Sequence, residues 1–142
     1  MKYNIERFIK AQKDTFDYVI KELKTERKES HWIWYIFPQI KGLGESPNAV
    51  YYSIENIEEA KQYCLNEILY NRYRLCCTIL LNAKAKDINL IMGYIGAMKL
   101  KSSLTLFYYA DKDNNELYKQ LIDKYFYSKF DELTINKLKS II

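Results

Sequence analysis

The scarce residue types of this chain gather in one stretch. Ser30-His31-Trp32-Ile33-Trp34-Tyr35-Ile36-Phe37-Pro38-Gln39, continuing through Lys41-Gly42-Leu43-Gly44-Glu45-Ser46, holds the only histidine, both tryptophans, one of two prolines and two of four glycines. With Arg27 and Lys28 just before it, the stretch offers three chemistries. An imidazole titrates near neutral pH, indole faces stack, and cations with Gln39 hold a phosphate or a carboxylate. His31 is the only acid/base of neutral pH by residue type, so hydrolysis or group transfer would fall to it. Whether any reaction is catalysed stays open, since an imidazole beside aromatics also serves as a hydrogen-bonded structural residue.

A second constellation is Lys99-Leu100-Lys101-Ser102-Ser103-Leu104-Thr105-Leu106-Phe107, where two cations precede two hydroxyls and an apolar run. At a helix N-terminus such residues suit an anion; as a solvated basic turn with serine caps they bind nothing. A third signal is Gln12, an amide inside an otherwise apolar stripe. Burying it without partners costs about 1–3 kcal/mol, so it bonds either a loop backbone or a ligand. Together these residues point to a pocket for a small anionic molecule, a nucleotide-like one among the candidates. Its expected lining is Gln12, Lys28, His31, Trp34, Gln39, Lys101, Ser102 and Ser103. The competing reading is a protein-interaction module, with the aromatic stretch as a partner surface and no small ligand.

Other classes are disfavoured. One histidine rules out a multi-His metal site, and no metal or cofactor is expected. Gly93-x-x-Gly96 lacks the Gly-Lys-Ser/Thr ending of a phosphate loop, and Gly42-x-Gly44 lacks a third glycine and a preceding strand. Cys64, Cys76 and Cys77 lie in apolar helical patterns and read as buried small hydrophobes. The net charge of +4 is spread among acids, a weak case for nucleic acid. The longest apolar run, residues 32–37, is far short of the roughly 20 needed to span a bilayer. The N-terminal residues carry no signal-peptide core, so the expectation is a cytoplasmic protein. Oligomeric state is not legible. The 14 tyrosines accompany abundant Lys, Ile and Asn, all with A/T-rich codons, and are not read as a base-stacking surface.

The elements that must position these residues are helical. Ile5, Phe8, Ile9, Gln12, Phe16, Val19, Ile20 and Leu23 form one stripe at helical spacing over 5–23, with Glu6, Arg7, Lys10 and Lys13 on the opposite, solvated face. Ser30 would cap a short helix starting at His31, which Pro38 stops near Phe37. Ser46-Pro47 reads as N-cap and first helical residue. Asn56 with Glu59 resembles a capping box for a helix over 57–65. The helical pattern continues over 68–81, as a second helix or one kinked helix. Short helices follow at 87–92, 115–126 and 131–138. Residues 97–107 are mixed, and 103–107 alternate like a strand that has no partner. The expected fold is all-α, one compact domain over 1–142. It is an irregular bundle of about six to eight helices, not an up-down four-helix bundle.

On these motifs the chain resembles domain-of-unknown-function family 1810. The match lies in 31–46, in Arg7-Phe8-Ile9-Lys10-Ala11-Gln12 upstream, and in the basic, Ser-Ser, Thr-Leu-Phe segment 99–107. The resemblance covers nearly the whole chain and implies a compact, mainly helical bacterial-type domain with no established activity. Two departures stand out. Glu26 occupies a position where the family usually has glycine before its basic pair. Leu65-Asn66-Glu67 stands where the family usually has a His-Pro-type turn.

Overall fold

A computed structural model describes residues 3–141, and Met1, Lys2 and Ile142 lie outside them. Among the described residues there are ten helices: α1 (Glu6–Lys13), α2 (Phe16–Lys24), α3 (Ile33–Ile36), α4 (Pro47–Tyr51), α5 (Ile57–Leu65), α6 (Glu67–Leu81), α7 (Ile88–Met92), α8 (Tyr94–Ala110), α9 (Glu116–Tyr125) and α10 (Glu132–Ile141). The all-α class is as expected; the count of six to eight is too low. The extra elements are α8, where a mixed stretch is expected, and a second helix within 5–23, made by a break that leaves no Gly or Pro in the sequence.

The first break splits the 5–23 stripe at Asp14-Thr15, where the Thr15 hydroxyl donates back to the carbonyl of Ala11. The second is Asn66, which ends α5 and starts α6. Its backbone is extended, and its side chain accepts from the amide of Leu69 at 3.1 Å. This settles the middle helices as two. Other caps follow the sequence: Ser46 accepts from Ala49 ahead of Pro47, and Asn56 accepts from Glu59. Gly93 closes α7 at φ +77, a left-handed conformation that glycine takes without strain.

The long helix α8 is the hub. It packs against α9, α5, α7, α10 and α3, while α6 covers α9, α2 and α5. Leu100, Ser102, Ser103, Leu104, Thr105, Leu106 and Phe107 are all buried, so this stretch of the helix is enclosed nearly all round, while its first turn stays exposed. The mixed reading of 97–107 and the strand-like reading of 103–107 are therefore corrected. A helix buried all round loses the amphipathic period that betrays it.

The core is a chain of aromatic contacts. Phe107 lies 4.4 Å from Tyr73 and 5.1 Å from Tyr63, centroid to centroid, with Phe37, Phe8 and Tyr118 packed outside them. Offset and edge-on rings of this kind add about 0.5–1.5 kcal/mol per pair beyond their area. The expected solvated face of α1 needs one correction. Arg7 is buried, paired with Glu59 at 2.8 Å, and donates to the carbonyls of Tyr51 and Ser53, tying α1 to α4 and α5. Among the described residues no helix is long and apolar enough to cross a membrane.

Candidate functional site

The site is built from the end of α2 outward. Glu26 takes φ +58, the left-handed residue that ends a helix, with Arg27 N–H bonding Glu22 C=O at 2.9 Å and Glu26 N–H bonding Leu23 C=O at 3.1 Å. This accounts for the position where the family usually has glycine. Here the Glu26 carboxylate compensates by accepting from the amides of Lys84 and Ala85 at 3.0 and 2.9 Å.

The chain then turns over Glu22, a carboxylate that is only 8% exposed. One oxygen accepts from the amides of Glu29 and Ser30 and from the indole of Trp32 at 2.7, 2.8 and 3.0 Å; the other accepts from the Ser30 hydroxyl at 2.6 Å. Burial alone would raise this carboxyl's pKa. The Ser30, Glu29 and Trp32 donors outweigh it and hold the group down at about 2. Ser30 thus serves Glu22 instead of capping a helix, and the helical turn begins at Ile33, later than expected. Trp32, Ile33, Ile36 and Phe37 face inward, while Trp34 and Tyr35 are half-buried and His31 is exposed.

Two lysines converge on this loop. The Lys28 amide is pinned to the Ile91 carbonyl at 2.7 Å, and its ammonium lies 5.0 Å from the centroid of Trp32. Lys99, from the first half of α8, places its ammonium 5.0 Å from the centroid of Trp34. Burial lowers the Lys28 pKa, the Glu22 charge opposes this, and the Lys99 charge adds to the lowering. Burial also lowers Lys99. Among the described residues the Lys99 ammonium has neither a hydrogen bond nor an ion pair, and that of Lys28 has only the Ser30 carbonyl. Glu22 is already committed to four donors. The Trp34 indole nitrogen is buried with no acceptor. An unmet donor of this kind costs about 1–3 kcal/mol.

The two sequence motifs therefore do meet, but through Lys99. Two residues on, Lys101 is turned by about 200° around the helix. It lines a cleft with Lys86, Lys124 and Lys129 instead. Ser102 bonds Asp131 at the start of α10, at 3.1 Å, and Ser103 bonds the Tyr73 hydroxyl inside the core at 2.9 Å. Gln12 is 1% exposed. Its amide donates to the Tyr35 carbonyl at 2.7 Å and to Tyr63, and its oxygen accepts from Arg72. That is the loop-bonding alternative, joining α1 to the back of the aromatic stretch. Gln39 contributes its backbone, accepting from Ile54 N–H at 2.8 Å in an isolated parallel bridge between Ile40 and Ile54. Of the expected lining, the structure brings together Lys28 and Trp34, with His31 exposed between them in sequence. Lys99 joins them. It was visible as one of two cations before the serines, but its choice over Lys101 required the register of α8.

Cys76 and Cys77 are buried, and burial pushes the Cys64 and Cys76 thiols up to about 12 and Cys77 well above its usual range. Such thiols are poor nucleophiles and ligands. A polar cluster not visible in the sequence sits at the end of α8. Asp111 accepts from Tyr70 at 2.8 Å and Tyr118 at 2.7 Å, with Arg74 at 3.4 Å. It braces α6, α8 and α9.

A helical domain with an aromatic-cationic loop on a buried hub helix is the class these observations define. The chain belongs to the DUF1810 family of proteins of unknown function, whose model matches residues 2–138. It is similar to the crystal structure of the conserved hypothetical protein Rv1873 from Mycobacterium tuberculosis. The identity is 36% over 98% of this chain and 99% of that one, with a TM-score of 0.95. No functionally curated protein matches.

Proposed function

We propose that this domain binds a small anionic ligand at Lys28, Lys99 and Trp34. The observation that carries the reading is the pair of partly desolvated ammonium groups, each over an indole and neither ion-paired. Their mutual repulsion is a cost in the free protein, and an anion between them removes it. The unsatisfied Trp34 N–H supplies a donor of the same polarity, and the indole face suits a ligand with a planar or sugar portion, such as a nucleotide. Catalysis is no part of the proposal.

The test is thermal unfolding with inorganic phosphate, pyrophosphate, AMP and ribose 5-phosphate, on the wild type and on a Lys28→Met/Lys99→Met double variant. The wild type should be stabilised by at least one of them and the double variant by none. No stabilisation of wild type, or equal stabilisation of both, rejects the reading.

One observation favours the protein-interaction alternative. Leu90, Tyr94, Ile95 and Met98 are 72%, 70%, 67% and 55% exposed along α7 and the start of α8. Ile95 lies one helical turn before Lys99. If an Ile95→Ser/Met98→Ser variant keeps the ligand response, the stripe is not part of the anion site.

A further inference from the structure

A separate cleft of about 300 Å3 opens between α5, the end of α8 and α10. Its apolar lining comes from Ile57, Tyr109, Ile135 and Leu138, and its charged lining from Lys61, Lys112 and Lys139. Every charged group that lines it is a cation. None of the three ammonium groups has a hydrogen-bond or ion-pair partner among the described residues. Glu58, Asp111 and Asp113 line the neighbouring cleft, which shares Lys61 and Lys112, yet none of them pairs with those lysines.

This volume lies at the low end of small-ligand pockets, which are apolar with a few placed polar groups. It takes about ten non-hydrogen atoms at the roughly 30 Å3 that a liquid water occupies. An apolar floor with a purely cationic rim selects for one end of a molecule to be oily and the other to be negative. We propose that the cleft binds a free medium-chain carboxylic acid. The chain lies on Ile57, Ile135, Leu138 and Tyr109, and the carboxylate sits among Lys61, Lys112 and Lys139. The lysine stems cover apolar surface while their heads stay wet. The chain therefore supplies most of the affinity, and the cations supply preference for an acid over a neutral head. This site shares no residue with Lys28, Lys99 and Trp34, so the two stand or fall separately.

Calorimetric titration of the whole protein with hexanoate, octanoate and 1-octanol, all below micelle formation, tests it. Octanoate should bind about 15-fold tighter than hexanoate, at roughly fourfold per methylene, and tighter than 1-octanol. Lys112→Ala/Lys139→Ala should reduce octanoate to the level of 1-octanol, and Ile135→Trp, which fills the floor, should abolish both. The proposal is overturned if octanoate does not bind at millimolar concentration, or binds no better than 1-octanol. It is equally overturned if the lysine variant binds octanoate like wild type. Should Ile135→Trp not fold, the octanoate-to-octanol comparison and the lysine variant still decide.

Discussion

The ammonium of Lys99 lies 5.0 Å from the centroid of the Trp34 ring, and that of Lys28 lies 5.0 Å from the centroid of Trp32. Two indoles two residues apart thus carry two lysines from different parts of the chain, and the lysine charges act on each other. In the free protein the Glu22 charge offsets this repulsion at Lys28, whereas Lys99 is partly desolvated and has no ion pair among the described residues. Lys99→Met is therefore expected to leave the thermal midpoint unchanged or raise it at low salt. Added salt should shrink the difference by screening the pair. Unfolding scans of both proteins at low and high ionic strength check this.

The two tryptophans should respond oppositely to loss of the indole nitrogen. Trp32 Nε1 donates to the Glu22 carboxylate, whereas Trp34 Nε1 has no acceptor. Trp32→Phe loses a hydrogen bond to a charged partner, worth about 1.5–3 kcal/mol. Trp34→Phe removes a donor that was never satisfied. Urea unfolding should rank Trp32→Phe less stable than Trp34→Phe by about 2 kcal/mol, the difference arising from those two nitrogens.

Glu22 makes stability depend on acid. Its carboxyl sits at about 2 in the folded protein against an ordinary 4.5. Because the folded value is the lower one, the contribution is complete above 4.5 and is lost as pH falls from there towards 2. At 1.36 kcal/mol per unit it is on the order of 3 kcal/mol. Glu22→Gln should be the less stable protein near neutral pH, and the gap to wild type should close across that acid window. Urea midpoints measured over the same pH range check both statements.

Glu26 is a non-glycine residue in a glycine conformation, held by two amides that its side chain collects. Glu26→Ala loses the two bonds and keeps the strained φ; Glu26→Gly loses the bonds but relieves the strain. The alanine variant should melt a few degrees below the glycine variant, and wild type above both.

Much of the fold was legible because helix ends announce themselves. Ser46-Pro47, Asn56 and Gly93 each mark an end that the structure keeps. The breaks at Thr15 and Asn66 were hidden or ambiguous, since each is made by a side chain bonding locally and not by Gly or Pro. Helix α8 was the hardest to read, because its 100–107 stretch is enclosed nearly all round and has little polar face to set its period. That same blindness put Lys101, Ser102 and Ser103 in the expected site, where Lys99 stands over Trp34. Gln12, an amide in an apolar stripe, needs specific partners, and it has three. The role of Glu22 was not legible: a glutamate near the end of an amphipathic helix looks like any solvated acid until the chain folds back over it.

The Trp34 indole is the most direct reporter of the central claim. Two tryptophans give two indole N–H signals in a 15N-correlated NMR spectrum, and Trp34→Phe assigns them. Titration with inorganic phosphate, pyrophosphate and AMP is expected to move the Trp34 signal, to leave the Glu22-bonded Trp32 signal nearly still, and to move neither in Lys28→Met/Lys99→Met. A Trp34 signal that ignores all three anions, or that moves equally in the double variant, contradicts an anion site at these lysines.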